Sequence, residues 1–241
     1  MFRFKKWLPP AMGLAVAVAL SAAAPVRADI ELEILVGTSV VYNSGDVNAT
    51  SFANSGSADG ITWQFSGGVT SSPNGGYPNI ALDQSTFQLS NTSRSTQTVT
   101  VEFSANNFTT PTTPPPLYIS SASSVAGGTG SLSVNFNSYI GNNTLLDTSG
   151  PSSGAVVYSE SGQYGAGGGP AVGTVVQMLP QNPFSVTSVG TYTLGNGATV
   201  NNIGGNTELT SLPEPASIVT AFAAMPFLGL GAWLRRRKQA A

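Results

Sequence analysis

The chain contains no cysteine and no histidine among its 241 residues. Without these side chains it can form no disulfide, no cysteine nucleophile and no Ser-His-Asp triad. The usual protein ligands of structural zinc and of haem iron are missing as well. We therefore expect no metal site and no cofactor.

Positive charge is also scarce between the two ends of the chain. Four of the nine Lys and Arg residues precede residue 28 and four follow residue 234, which leaves Arg94 as the one cation between them. Ten of the eleven acidic residues lie within residues 29–212, so the net charge of that part is −9. A single arginine cannot neutralise a row of phosphates, which excludes nucleic acid as a partner and disfavours anionic lipid.

The side chains that remain offer few candidates for catalysis. Serine and threonine are abundant, but a hydroxyl is inert without a neighbouring base, and the middle of the chain has no lysine. Glu31 and Glu33 have the i, i+2 spacing that places two carboxylates on one face of a strand, and Glu102 lies in a comparable strand. A glycosidase needs two carboxyl groups about 5–10 Å apart, but we favour a solvated strand face for this pair.

Oxygen ligands for calcium occur only in loose groups. Asp46 lies near Asn43 and Asn48, and Asp59 lies near Asn54. Neither group matches a known calcium-binding loop, and we expect these side chains to form Asx turns that satisfy loop backbone.

The N-terminus has the three parts of a secretory signal peptide. Two lysines and an arginine among the first six residues precede an apolar, alanine-rich run over 8–24. Small residues follow, with a predicted cleavage between Ala28 and Asp29. We expect residues 1–28 to be removed on export.

The C-terminus also has three ordered parts. A Pro-Glu-Pro motif is followed by an apolar run over 216–234 and then by a basic cluster. As a helix, the 19-residue run would span about 28 Å, close to one bilayer core. The basic cluster would remain cytoplasmic and keep the rest of the chain outside. The motif is Pro213, Glu214 and Pro215, and the cluster is Arg235, Arg236, Arg237 and Lys238.

This ordered C-terminus resembles the PEP-CTERM sorting signal of Gram-negative bacteria. The resemblance implies recognition by an exosortase, a membrane-embedded cysteine transpeptidase or protease. It also implies transient anchoring in the cytoplasmic membrane, release toward the cell surface, and a link to exopolysaccharide and biofilm. The signal covers about an eighth of the chain, residues 213–241, and implies little about the body.

The body, residues 29–203, has the pattern of an all-β protein. Apolar and polar residues alternate with period 2 over 30–36, 61–65, 99–103 and 132–136, and no stretch has helical periodicity. We predict a β-sandwich of jelly-roll or Ig-like type with about ten short strands. Residues 43–60, 109–116 and 161–170 are predicted to be loops, and residues 204–212 a linker to the sorting signal.

Sugar binding needs aromatic faces beside polar groups. Trp63 has the same alternation as its apolar neighbours, which predicts a core position. Tyr77 and Tyr164 follow or precede glycines in predicted loops and are the candidate sugar contacts. We expect an exported, non-catalytic surface or matrix protein. A carbohydrate-binding module or adhesin, a carboxylate hydrolase and a permanent membrane protein are the alternatives.

The charge distribution makes a prediction about proteolysis. Arg94 is the only trypsin site in the body, so trypsin should cut the unfolded body once and give two fragments in a mass spectrum. Several tryptic fragments would contradict the boundaries at residues 28 and 212.

Overall fold

The chain folds into an antiparallel β structure. In the computed structural model, residues 28–74, 77–108, 117–176 and 183–211 are described, and they contain strands but no α-helix. The strands are β1 (Asp29–Val36), β2 (Ser39–Asn43), β3 (Val47–Asn48), β4 (Ser51–Ala58), β5 (Ile61–Asn74), β6 (Tyr77–Asn91), β7 (Gln97–Phe108), β8 (Leu117–Gly141), β9 (Val156–Tyr164), β10 (Gly167–Gly168), β11 (Val172–Val176), β12 (Phe184–Leu194) and β13 (Thr199–Ser211). The all-β prediction is confirmed.

Alternating side chains explain the central strands. In β1, Ile30, Leu32, Ile34 and Val36 are buried while the intervening residues are half-buried. The strands β7 and β8 show the same alternation over much of their length. Successive side chains of a strand point to opposite faces, so a period of two buries one face and leaves the other toward solvent.

One strand connects the whole sheet. The hydrogen-bonded order is β2-β1-β7-β12-β8-β13-β6-β5-β4, with β3 added to β1 and with β9, β10 and β11 added to β8. The first part of β8, residues 117–129, pairs with β13, and the later part, residues 132–141, pairs with β12. We call β4, β5, β6, β13 and residues 117–129 the first half-sheet, and β1, β2, β7, β12 and residues 132–141 the second half-sheet.

The two half-sheets face each other. The rings of Phe65 in β5 and Phe103 in β7 are 5.1 Å apart, although five places separate these strands in the sheet order. Phe87 in β6 and Tyr192 in β12 are 5.4 Å apart across the same interior. All four rings are buried, so the core lies between the half-sheets.

Between its two halves, β8 passes through Gly130. The residue has a φ of +89°, and a Cβ there would lie 2.7 Å from the Cβ of Ala198. Glycine is therefore the residue that fits this point, since other L-residues rarely adopt such a φ.

Hydroxyl and amide groups also bridge the interior. Gln84 Nε2 of β6 donates to Ser188 Oγ of β12 at 2.8 Å, and Ser188 Oγ donates to the carbonyl of Phe103 at 3.1 Å. The Ser138 hydroxyl of β8 bonds to the Thr207 hydroxyl of β13 at 2.5 Å. Because unsatisfied buried polar groups are costly, these bonds favour one relative placement of the half-sheets.

Several predicted loops are strands. The predicted linker over 204–212 is wrong for most of its length, since β13 continues through Ser211. The predicted loop over 43–60 contains β3 and β4, and part of the loop over 161–170 belongs to β9 and β10. Within the described ranges the strands number thirteen rather than about ten, and β8 alone has 25 residues. Small polar residues that form edge strands lack the apolar alternation on which the prediction depended.

Both chain ends fall outside the described residues. Three predicted segments cannot be compared with the structure for this reason: the signal peptide up to residue 27, the loop over 109–116 and the sorting signal. Over the part of the chain that the structure describes, no helix has the length and apolar content of a membrane span.

The interior makes a prediction about stability. Replacing Phe103 by alanine should lower the free energy of unfolding by about 3–5 kcal/mol, because a ring that contacts the opposite half-sheet is lost and a cavity remains. Urea denaturation measures this. The matched control is Val157→Ala, since Val157 is 59% exposed and should change the value by less than about 0.5 kcal/mol. Equal effects of the two changes would contradict the two-faced core.

Candidate functional site

A neutral cleft crosses the outer face of the first half-sheet. It has a volume of about 420 Å³ and is lined by β4, β5, β6 and β13. Thr199 of β13 is the cross-strand partner of Ser90 in β6, and Ser90 is the partner of Thr62 in β5. Gln88 and Gln64 are partners in the adjacent row, and Gln64 pairs in turn with Ser55 of β4. We call this site the hydroxyl cleft.

The strand period explains the character of the hydroxyl cleft. Ile61, Trp63 and Phe65 point into the core, so Thr62 and Gln64 point outward. The lining contains hydroxyl and amide side chains but no ionisable group. Amides and hydroxyls both donate and accept hydrogen bonds, which suits a neutral, hydroxyl-rich ligand.

Trp63 lies in β5 between the outward Thr62 and Gln64, with its side chain on the core side of the strand. It is 5% exposed, and its Nε1 donates to Asn54 Oδ1 at 3.0 Å. The predicted core position is confirmed. The bond also gives Asn54 a structural partner, because a buried indole N–H needs an acceptor.

The predicted loop position of Tyr164 is wrong, and its ring is mostly buried. Tyr164 ends β9 and is 9% exposed, and its hydroxyl donates to the carbonyl of Thr199 at 3.2 Å. Its backbone pairs with Gly128, whose missing side chain leaves room for the ring. Tyr77 begins β6 opposite Asn74 at the tip of a hairpin, and its side chain lies outside the described part.

The carboxylates gather on the second half-sheet instead. Glu33 of β1 is the direct cross-strand partner of Glu102 in β7. Asn43 Nδ2 donates to Glu31 Oε1 and to Glu33 Oε2, both at 2.9 Å. Burial, with a smaller contribution from the Glu33 charge, raises the pKa of Glu102. The predicted strand face therefore holds three neighbouring carboxylates, and none of them lines the hydroxyl cleft.

The three asparagines among the calcium candidates, Asn43, Asn48 and Asn54, have other partners. Asn43 Oδ1 accepts a bond of 2.6 Å from the N–H of Gly45, which is the predicted Asx turn, and Asn48 donates to Asp29. Among the described residues, no group of three or more acidic, histidine or cysteine side chains is arranged to hold a metal ion.

The predicted processing points lie next to the sheet. Ala28 is buried, and Asp29 begins β1 with its N–H bonded to Asn106 Oδ1 at 3.2 Å. At the other end, Ser211 pairs with Leu117 and stands two residues before Pro213. The sorting motif Pro213, Glu214 and Pro215 and the basic cluster from Arg235 to Lys238 lie outside the described residues.

The raised pKa of Glu102 makes a prediction with a defined sign. A carboxyl group whose pKa is higher in the folded state stabilises the fold below its unfolded pKa, ordinarily 4.5, and loses that contribution as the pH rises through the folded pKa. Glu102→Gln should therefore raise the Tm by a few degrees at pH 7 and leave it unchanged at pH 3.

Thermal unfolding of Glu208→Gln is the control for this change. Glu208 is exposed, and its cross-strand partners Ser120 and Ala81 carry no charge. The control should show little gain at either pH. A gain for Glu102→Gln that is equally large at pH 3 would contradict the assigned cause.

Comparison with known proteins gives little support for a family. No protein-family model matches the chain, and no curated protein matches it. One solved structure with a similar arrangement is that of TmCBM61 in complex with beta-1,4-galactotriose, at 7% sequence identity. The match covers 65% of this chain and 88% of that chain with a TM-score of 0.32, a likeness too low to bear on this chain's ligand.

Proposed function

We propose that the chain is an exported, non-catalytic surface or matrix protein that an exosortase sorts and processes. Its body is a β-sandwich, a description supported by the ring contacts of Phe65 with Phe103 and of Phe87 with Tyr192. The C-terminal helix holds it briefly at the cytoplasmic membrane before release. The resemblance of residues 213–241 to the PEP-CTERM signal supports this route.

The hydroxyl cleft is the structural observation that supports a binding role outside the cell. Its amide and hydroxyl lining, without charge, suits contact with neutral exopolysaccharide. The carbohydrate-binding or adhesin alternative acts through the same cleft, and it differs in making sugar binding the main activity. The carboxylate hydrolase has less support, because Glu31, Glu33 and Glu102 do not line that cleft.

The proposed sorting motif would begin close to the folded body. Because β13 ends at Ser211, Leu212 is the one residue between this strand and Pro213. An extended residue covers at most about 3.3–3.6 Å, so the anchored body would lie close to the membrane surface. Processing at Pro213-Glu214-Pro215 would then free a body whose last strand is already paired.

Export and processing are tested by intact mass spectrometry of the protein recovered from the medium and from the exopolysaccharide fraction. The expected product begins at Asp29 and lacks the residues after about Leu212. Protein found only in the cytosol, or released protein that keeps its full tail, would contradict the proposal. A Glu214→Ala variant, compared with Glu208→Ala as a control on the body, should accumulate uncleaved in the membrane fraction.

A further inference from the structure

A second cleft lies on the outer face of the first half-sheet, further along β6 and β13. It has a volume of about 590 Å³ and lies between these strands, β8 and the glycine-rich segment that contains β10. Asp83 of β6 and Asn206 of β13 are cross-strand partners on its floor. We call it the Asp83 cleft.

Asp83 is an acceptor without a charged partner. The only cation in the described part of the chain is Arg94, which lies in the connection between β6 and β7, and no ion pair of Asp83 occurs there. Its other cross-strand neighbour, Gly68, has no side chain. Burial raises the pKa of Asp83, in agreement with a carboxylate that no positive charge compensates.

Ser123 borders the same cleft through its backbone. Along β8 it is in phase with Ser121 and Val125, so its side chain points to the core face, where the Tyr158 hydroxyl lies beside it. The side chains of β8 that face the cleft are those of Ala122 and Ser124.

Glycine keeps the cleft open. Gly167 and Gly168 form β10 and pair with Val125 and Ser124 at one wall. A Cβ on Gly204 would project to 3.0 Å from Ser124 Oγ, the end of a small side chain that can rotate, and would meet nothing else within 4 Å. A methyl group there would therefore fill cleft space with little effect on the sheet.

We propose that the Asp83 cleft binds one neutral hexose unit of a polysaccharide. Asp83 accepts hydrogen bonds from neighbouring sugar hydroxyls, and the Asn206 amide donates and accepts beside it. Acidic sugars are disfavoured, because the carboxylate is uncompensated and residues 29–212 carry a net charge of −9. This assignment rests on the proposed contact with exopolysaccharide and deepens it by naming the sugar class.

The position of the two clefts implies a preference for long chains. Gln88 of the hydroxyl cleft and Asp83 lie five residues apart in β6, which at about 3.3 Å per residue is roughly 17 Å. An extended neutral polysaccharide that follows β6 and β13 would contact both clefts at once. Linked contacts raise affinity without any new interaction, so longer oligosaccharides should bind more tightly than monosaccharides.

Titration calorimetry of the full-length chain, held in a detergent without a sugar headgroup, tests this proposal. The probes are neutral hexose oligosaccharides of increasing length, with a uronic-acid oligosaccharide as the acidic counterpart. Asp83→Asn and Gly204→Ala should each weaken binding of the neutral probes about tenfold, the effect expected for a lost charged acceptor or a filled site. Gly165→Ala, which meets nothing within 4 Å and lies outside the cleft lining, and Glu208→Gln should leave affinity unchanged.

The outcomes separate this proposal from the more general one. The neutral probes could bind with an affinity that Gln88→Ala lowers and that Asp83→Asn and Gly204→Ala leave unchanged. In that case polysaccharide binding is supported and the assignment of a sugar site to the Asp83 cleft is wrong. If the uronic-acid probe binds more tightly than the neutral ones, the assigned sugar class is overturned. If the wild-type chain binds none of the probes, both the cleft and the contact with polysaccharide fail, while export and processing stand on the mass measurement.

Discussion

The two half-sheets are joined within the hydrogen-bonded sheet by β8, which pairs with β13 of the first and with β12 of the second. Its early residues bond to β13 and its later residues to β12, so the chain turns from one layer into the other without leaving the sheet. Closing the layers buries Phe87, Phe103, Phe136 and Tyr192. Aromatic side chains bury roughly 150–250 Å² each, and this burial is the main gain that opposes the entropy of ordering the chain.

The same closure determines what the outer faces can do. Period 2 directs the apolar residues inward, and the residues left outside on the first half-sheet are chiefly Ser, Thr, Asn and Gln. The hydroxyl cleft and the Asp83 cleft both form on this face, whereas the carboxylates Glu31, Glu33 and Glu102 share the other. A protein with one cation in its body therefore presents one polar face with few charges, Asp83 and Glu208 among them, and one face on which Glu31, Glu33 and Glu102 are neighbours. The first of these faces suits uncharged polymers.

The sequence predicts those parts of the fold that depend on local alternation. β1, β7 and the later half of β8 follow from their apolar residues, as does the core position of Trp63. β4 could not be predicted in this way, because its small polar residues are typical of a loop. The C-terminal part of β13 has a similar composition and was predicted to be a linker. Strand length matters as well: a 25-residue strand that contains Gly127, Gly128 and Gly130 has the composition of two strands and a turn.

The sites depend on strand order, which local patterns do not contain. Thr199, Ser90 and Thr62 become neighbours only because β13, β6 and β5 are adjacent. Glu102 faces Glu33 only because β7 pairs with β1. Tyr164 was expected to be exposed because glycine follows it, but β9 extends far enough to bury its ring. The proposed sorting signal, in contrast, is a linear pattern, and its interpretation needs no fold.

Amide hydrogen exchange along β8 tests most directly whether this strand unites the two layers. If both half-sheets depend on it, the amides over 117–125 and over 132–141 should exchange with the same free energy of opening, equal to that of global unfolding. Exchange of one segment well before the other would show two separable sheets and contradict the account.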